Sequence, residues 1–192
     1  MCPEEHSRGL RHNTSRNIIA KAARDVGFNT DIEHAGGLGD QRRQGDVIVY
    51  NWHNGRHLLI DVAVINPLCS TNSSNVISEG VGAAATAYGR TKERMYSDLD
   101  FTKYYFLPFI LDTTGGMGKA AHGFCKELKN RRESSMCNLI SEDDKIFKVR
   151  DQLMVTLSVE LQKANSRMIL EKAPQWITLS TQILSSVNNT LP

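Results

Sequence analysis

The sequence lacks a long apolar run and has almost no net charge. No stretch approaches the roughly 20 apolar residues that a helix needs to cross a membrane, and residues 1–14 have no apolar segment typical of a secretory signal. We therefore expect an intracellular protein without a membrane partner. The 23 basic and 21 acidic residues leave a formal charge of +2. This total neither favours nor excludes a nucleic-acid partner, because a local basic patch is what DNA binding requires.

Cysteine is scarce, and its spacing favours neither a disulfide-bonded protein nor a zinc site. The four cysteines, at positions 2, 69, 125 and 137, are widely separated and form no Cys-x-x-Cys pair. We expect neither a disulfide framework nor an oxidising compartment. Cys2, His6 and His12 are close in sequence, but two further ligands at the spacing of a zinc site are missing.

Apolar periodicity and turn residues predict an α/β fold. In chain order they predict a helix over 13–26, strands over 28–33, 46–52 and 56–65, a helix over 79–97, a strand over 104–111, a helix ending near 132, and a long helix over 143–168 that ends before Ala173-Pro174. Strands 46–52 and 56–65 are apolar on both faces, which indicates that helices cover both sides. Pro108 indicates an edge strand or a bulge.

This element order predicts a central mixed sheet of about four strands flanked by helices, with extra helices at the C-terminus. A chain of 192 residues is long enough for one domain with a full core. We predict a flexible N-terminal segment over 1–12, a core over 13–133 and a helical extension over 134–192 that packs on the core.

Asn54-Gly55 is the strongest turn signal, because Asn-Gly favours a two-residue hairpin turn. Counting outward from this turn places Tyr50 opposite Leu59, Ile48 opposite Asp61 and Asp46 opposite Ala63. Side chains on one face repeat every second residue. Asp46 and Asp61 therefore become diagonal neighbours on one face, with Cα atoms roughly 7 to 8 Å apart.

Two acids inside apolar strands need a physical explanation. Burial of a lone carboxylate is costly, and two close carboxylates repel each other. A divalent cation such as Mg²⁺ or Mn²⁺ would resolve both problems, because hard cations prefer oxygen ligands. The alternative is that one aspartate lies in water at a strand edge while the other caps a turn or meets an arginine. A bulge of one residue would place the two acids on opposite faces.

The residues around these acids resemble a known family. The strings QRRQGDV (41–47) and LIDVAVINP (59–67) resemble the core of restriction-endonuclease-like, PD-(D/E)xK proteins. They are closer to the nuclease-like segments at the C-terminal end of eukaryotic retroelement reverse-transcriptase polyproteins. The same resemblance includes RHN (11–13), EHAGG (33–37), Pro67-Leu68 and FILDTTGG (109–116), and it covers roughly residues 11–170. The resemblance includes no part of the reverse transcriptase that lies upstream in those polyproteins.

The chain departs from the family pattern at one place. The family has a lysine two residues after the second acid, where this chain has Ala63. The resemblance implies that a lysine from the next helix replaces it, and Lys92 is the candidate. Tyr88, Lys92 and Tyr96 are spaced to share one helical face. Lys103 is the reserve candidate, and the alternative is that Lys92 is an ordinary solvated lysine.

The remaining candidates would bind metal or DNA. Glu33 could supply a third oxygen ligand from the neighbouring strand, or could form an ordinary salt bridge. Arg42, Arg43, Arg16 and Tyr96 are candidate DNA contacts, and the alternative for the two loop arginines is an ordinary charged loop. A basic run over 126–132 could face DNA or form a nuclear signal, although such a run is more often a solvated helix face. The string GGMGK (115–119) does not match a phosphate-binding loop and predicts a strand-to-helix turn.

The resemblance therefore implies a Mg²⁺- or Mn²⁺-dependent endonuclease that nicks DNA. Asp46 and Asp61 would hold the metal, and Lys92 would stabilise charge on the phosphate. The implied partners are DNA and either a reverse transcriptase module or a second copy of the chain, and the implied location is nuclear. Two alternatives remain open at this point. One is a catalytically inactive nuclease-fold module that binds DNA or takes part in assembly, and the other is a structural domain that binds a protein.

Overall fold

A computed structural model describes residues 3–32, 45–69, 80–136 and 152–188. Within these ranges the chain forms four helices and four strands. In chain order they are α1 (Pro3–Asp25), β1 (Thr30–Ile32), β2 (Val47–His53), β3 (Arg56–Ile65), α2 (Ala83–Met95), β4 (Tyr104–Asp112), α3 (Lys119–Met136) and α4 (Gln152–Asn188). No helix in the described ranges is long and apolar enough to span a membrane.

The four strands form one mixed sheet in the order β1-β2-β3-β4. The first three strands are antiparallel to their neighbours, and β4 is parallel to β3. A parallel pair needs a crossover, and α2 lies within the segment that connects these two strands. The predicted α/β class and the four-stranded mixed sheet are confirmed. Pro108 lies in β4, the outer strand, which also confirms its predicted edge position.

Helices cover both faces of the sheet, as the apolar strands predicted. One face packs on α1, α3 and α4 around a core that includes Ile19, Val49, Ile60, Phe109 and Phe124. The alternate strand residues Ile48, Leu59 and Ile110 are equally buried on the opposite face. There α2 packs against β4, with Gly89 next to Pro108 and Ile110.

Several element boundaries differ from those predicted. The first helix begins at Pro3, so residues 3–12, predicted as a flexible segment, belong to α1. Proline fits this first position because its missing N–H would have no partner there. The long helix α4 continues through Ala173 and Pro174, where a break was predicted. A single proline removes one hydrogen bond, and here the helix continues on both sides despite that loss.

The predicted register of the β2–β3 hairpin is wrong. The observed partners are Val47 with Ile60, Ile48 with Leu59 and Val49 with Leu58. The register shifts between Val49 and His53, where Asn51 adopts a positive φ of 53°. Residues 50–52 of β2 lie against the single residue His57 of β3, so the pairing moves by two positions. An even shift preserves which residues share a face.

The glycine-rich segment after β4 forms a strand-to-helix turn, as predicted. The Asp112 carboxylate accepts hydrogen bonds from Thr114 N at 2.9 Å and Gly116 N at 2.8 Å. It also accepts one from the Thr114 hydroxyl at 2.6 Å. Gly115 adopts a φ of 100°, a conformation that glycine reaches without strain. These contacts lead the chain from β4 into α3.

Candidate active site

The observed register brings the two predicted acids close to each other, at the start of β2 and in the middle of β3. Asp46 immediately precedes Val47, which pairs with Ile60, and Asp61 is the residue after Ile60. The Val62 amide donates a hydrogen bond to Asp46 Oδ2 at 2.6 Å, which ties the start of β2 to the centre of β3.

Packing against Leu59 explains why a glycine precedes Asp46. A Cβ atom built on Gly45 would overlap the side chain of Leu59, which is only 2% exposed and cannot easily move aside. The chain therefore approaches β3 closely at the point where Asp46 enters the sheet. The Gly-Asp pair of the sequence pattern thus has a structural cause at this position.

Asp61 is a buried carboxylate with one cationic partner. Its residue is 7% exposed, and its Oδ1 accepts a hydrogen bond from the Tyr96 hydroxyl at 3.0 Å. Lys92 Nζ lies 2.9 Å from Oδ2 and 3.3 Å from Oδ1. Although Oδ2 faces this ammonium group, it accepts no hydrogen bond of normal geometry from the described residues. One oxygen of Asp61 therefore keeps unused acceptor capacity.

Helix α2 positions the partners of Asp61. Lys92 and Tyr96 are one helical turn apart and face the sheet together, as predicted from their spacing. The Tyr96 ring stacks on Phe106 of β4 with centroids 4.2 Å apart. Lys92 Nζ also lies 5.9 Å from the centre of the Tyr88 ring. This packing orients both polar groups toward one carboxylate.

The structure distinguishes between the two candidate lysines. Burial alone lowers the pKa of Lys92, but the hydrogen bond with Asp61 and the charges of Asp61 and Asp46 outweigh it, so that the pKa is raised. Lys92 is therefore protonated at neutral pH. Lys103, the reserve candidate, has a 72% exposed side chain and pairs with Asp100 at 3.3 Å. Lys92 therefore contacts Asp61, one of the two predicted acids, whereas Lys103 contacts Asp100.

His12 is a partner of Asp46 that the sequence did not predict. His12 Nε2 lies 3.1 Å from Asp46 Oδ1, and its Nδ1 lies 3.3 Å from Asn13 Oδ1. The hydrogen bond with Asp46 is the main reason that the pKa of His12 is raised above its ordinary value. Because both ring nitrogens face oxygen atoms, the protonated ring can donate to both. In the sequence His12 stood out in the RHN string and beside Cys2 and His6, and neither pattern indicated a contact with Asp46.

Two predicted DNA contacts have different surroundings from those expected. Arg16 is only 9% exposed, and its Nε donates to Asn17 Oδ1 at 3.4 Å. Tyr96 is 7% exposed, with its ring on Phe106 and its hydroxyl on Asp61. Both side chains are therefore largely buried in the protein, and their contact with DNA stays a prediction. Glu33, Arg42 and Arg43 lie outside the described residues.

The donor set is compatible with a hard divalent cation. Mg²⁺ is often held by one or two carboxylates, with water filling the remaining positions. Asp46 and Asp61 supply two neighbouring carboxylates, and Oδ2 of Asp61 is a buried acceptor with unused capacity. In the described part of the chain no group of three or more His, Cys, Asp or Glu residues forms a metal site. Among the described residues, a bound ion would thus depend on this aspartate pair and on water.

Comparisons with known proteins add little to this site. No protein-family model and no curated protein matches the chain. Among solved structures it is similar to AF1548, a protein of unknown function, with a TM-score of 0.34 and 12% sequence identity. The match covers 85% of this chain and 97% of that chain. A similarity at this level does not show a common fold.

Proposed function

We propose that this chain is a restriction-endonuclease-like, metal-dependent DNA endonuclease domain that hydrolyses phosphodiester bonds and nicks DNA. The main supporting observation is the position of Asp46, which immediately precedes the pairing of Val47 with Ile60 and so lies next to Asp61 of β3, with the Lys92 ammonium 2.9 Å from Asp61. Two acids and a lysine are the residue types that the family resemblance predicts. Here the lysine comes from α2 rather than from β3.

The three side chains have separate roles in this proposal. Asp46 and Asp61 would hold Mg²⁺ or Mn²⁺, and such an ion, when bound, would activate water and polarise the phosphate. Lys92 has a raised pKa, so it is a poor proton acceptor at neutral pH. Its charge is suited to stabilising the negative charge that develops on the phosphate. Ala63, the residue at the usual lysine position, would have no chemical role.

The partners follow from the same proposal. The substrate would be DNA, and Arg42 and Arg43 remain candidate phosphate contacts because they closely precede Asp46 in the sequence. A reverse transcriptase module or a second copy of the chain would act with the domain, and a retroelement origin would place it in the nucleus. These points rest on the family resemblance alone.

The test is nicking of supercoiled plasmid with Mg²⁺ or Mn²⁺. Asp61→Asn should lower the nicking rate by at least about 100-fold, because the metal and its ligands supply several kcal/mol of transition-state stabilisation. Asp25→Asn is the matched control, since Asp25 lies in an exposed pair with Lys21 on α1. A folded wild-type protein that nicks with neither ion would refute the proposal for this domain. Equal nicking by wild type and Asp61→Asn would do the same.

A second candidate is an inactive nuclease-fold module that binds DNA or takes part in assembly. One observation favours it, because each acid already has a basic side chain as its partner. His12 faces Asp46, and Lys92 faces Asp61. An inactive DNA-binding module should bind DNA with an affinity that falls as salt rises and does not depend on divalent ions. A module that binds only a protein partner should neither bind nor nick DNA.

A further inference from the structure

The Asp46 carboxylate is fixed mainly by its side-chain contacts. Asp46 immediately precedes β2, whose strand pairing begins at Val47. Its Oδ2 is held by the Val62 amide at 2.6 Å. Its Oδ1 meets His12 Nε2 at 3.1 Å. Without the second contact, the carboxylate would be held at one oxygen only and could rotate about its side-chain bonds.

His12 belongs to α1, a helix that packs on the core and contacts α4. Further along α1, Ile19, Ala20 and Ala23 are fully buried in the core. Next to His12, Arg11 Nη1 donates to Asn165 Oδ1 of α4 at 3.2 Å. Asn165 in turn donates to the Thr113 carbonyl at 2.8 Å. The position of the imidazole ring is therefore set by the packing of α1 against both the sheet and α4.

We infer that His12 is a positioning residue that orients the Asp46 carboxylate toward Asp61. Its effect on catalysis rests on the proposed function, whereas its effect on the placement of Asp46 does not. Residues 3–12, which the sequence predicted to be a flexible segment, then contribute a residue to the proposed site. A shortened chain that began at residue 13 would keep both acids and Lys92 but would lose the group that orients Asp46.

Hydrogen exchange at the Val62 amide tests this placement without any metal. The Val62 N–H donates directly to Asp46 Oδ2, so its exchange rate reports on the position of that carboxylate. His12→Ala should speed Val62 exchange about tenfold, the effect of losing one ordinary hydrogen bond, and leave Phe109 in the core unchanged. His12→Gln should restore slow exchange, because its side-chain amide can reach a position close to that of Nε2. Lys21→Ala, on the exposed part of α1, is the control.

A second readout connects this positioning to the proposed function. Mn²⁺ binding measured by calorimetry should weaken by about 10- to 100-fold in His12→Ala, the usual effect of removing a group that orients a ligand. His12→Gln should recover most of the affinity. Unchanged Val62 exchange in His12→Ala would overturn the inference, as would a general rise in exchange throughout the sheet. If the wild type neither binds Mn²⁺ nor nicks DNA, the proposed function fails, and Val62 exchange still decides the role of His12.

Discussion

Asp61 and Asp112 are buried aspartates on the two parallel strands, yet their surroundings differ. Asp112 is 3% exposed, and its Oδ1 accepts three hydrogen bonds, all from Thr114 and Gly116. Asp61 is 7% exposed and depends on Lys92 and Tyr96, which lie 31 and 35 residues further along the chain. One of its oxygens also lacks a hydrogen bond of normal geometry among the described residues.

This comparison separates a structural carboxylate from a candidate functional one. The Asp112 carboxylate stabilises a local turn, because its Oδ1 accepts hydrogen bonds from N–H and O–H groups two and four residues away. Asp61 is instead stabilised by the ammonium group of Lys92, which comes from a helix well separated from it in sequence. Burial alone therefore does not identify the functional acid, whereas the type and origin of its partners do.

The largest expected effect on stability is at Asp112. Asp112→Ala should lower the free energy of unfolding by about 3 to 4 kcal/mol, because it removes three hydrogen bonds to a charged acceptor and leaves Gly116 N without this partner. Asp112→Asn should lose roughly half as much, since its carbonyl oxygen can still accept. Urea denaturation measures both values. A loss below about 1 kcal/mol for Asp112→Ala would remove the contrast with Asp61.

Asp61→Ala should lower the free energy of unfolding by about 2 to 3 kcal/mol, because Lys92 would keep its charge in a half-buried place without its partner. Solvent reduces this value, since the two side chains are 19% and 10% exposed. Replacing both residues, with Asp61→Leu and Lys92→Leu, should change the free energy by less than about 1 kcal/mol. A double-mutant cycle by urea denaturation tests this prediction. Strict additivity of the two single losses would contradict it.

The pH dependence of the same ion pair has a definite sign. The pKa of Lys92 is raised in the folded protein, so its contribution to stability is fully present below the ordinary lysine pKa of about 10.4. The contribution is lost as pH rises through the folded pKa. The cost of Asp61→Ala should therefore stay nearly constant between about pH 6 and pH 9. A cost that fell steeply within this range would show that Lys92 does not carry the interaction.

A smaller effect is expected at the bulge that brings Asp46 next to Asp61. Asn51 has a φ of 53°, a conformation that β-branched residues rarely adopt. Asn51→Val should cost about 1 to 2 kcal/mol, whereas Asn51→Gly should change the stability by less than about 0.5 kcal/mol. Thermal and urea denaturation compare the two variants. Equal costs would show that backbone conformation does not control this position.

The smallest expected effect is on the reactivity of the two cysteine thiols that the structure describes. Burial raises the pKa of the Cys125 thiol to about 12, whereas Cys69 is partly exposed. Because the thiolate is the reactive form, iodoacetamide should modify Cys69 at least about tenfold faster than Cys125 in the folded protein. Peptide mapping by mass spectrometry measures both rates, and denaturant should abolish the difference. Similar rates in the folded state would contradict the burial of Cys125.

The sequence by itself predicted the parts of this protein that depend on local periodicity. The apolar strands, the Asn54-Gly55 turn and the helix that carries Lys92 follow from residue spacing, since strands repeat every two residues and helices every 3.6. The same spacing indicated that Asp46 and Asp61 share a face. The predicted register was wrong, but the bulge at Asn51 shifts the pairing by an even number of residues and so leaves each side chain on its predicted face.

Tertiary structure decided which groups surround the acids. The contact between His12 and Asp46 joins α1 to the start of β2, and no local pattern relates two such positions. The burial of Tyr96 likewise depends on Phe106, which belongs to another strand. The register itself required a backbone conformation at Asn51 that the hairpin signal did not contain. Sequence spacing fixes the face on which a side chain lies, whereas its partners depend on how distant elements pack.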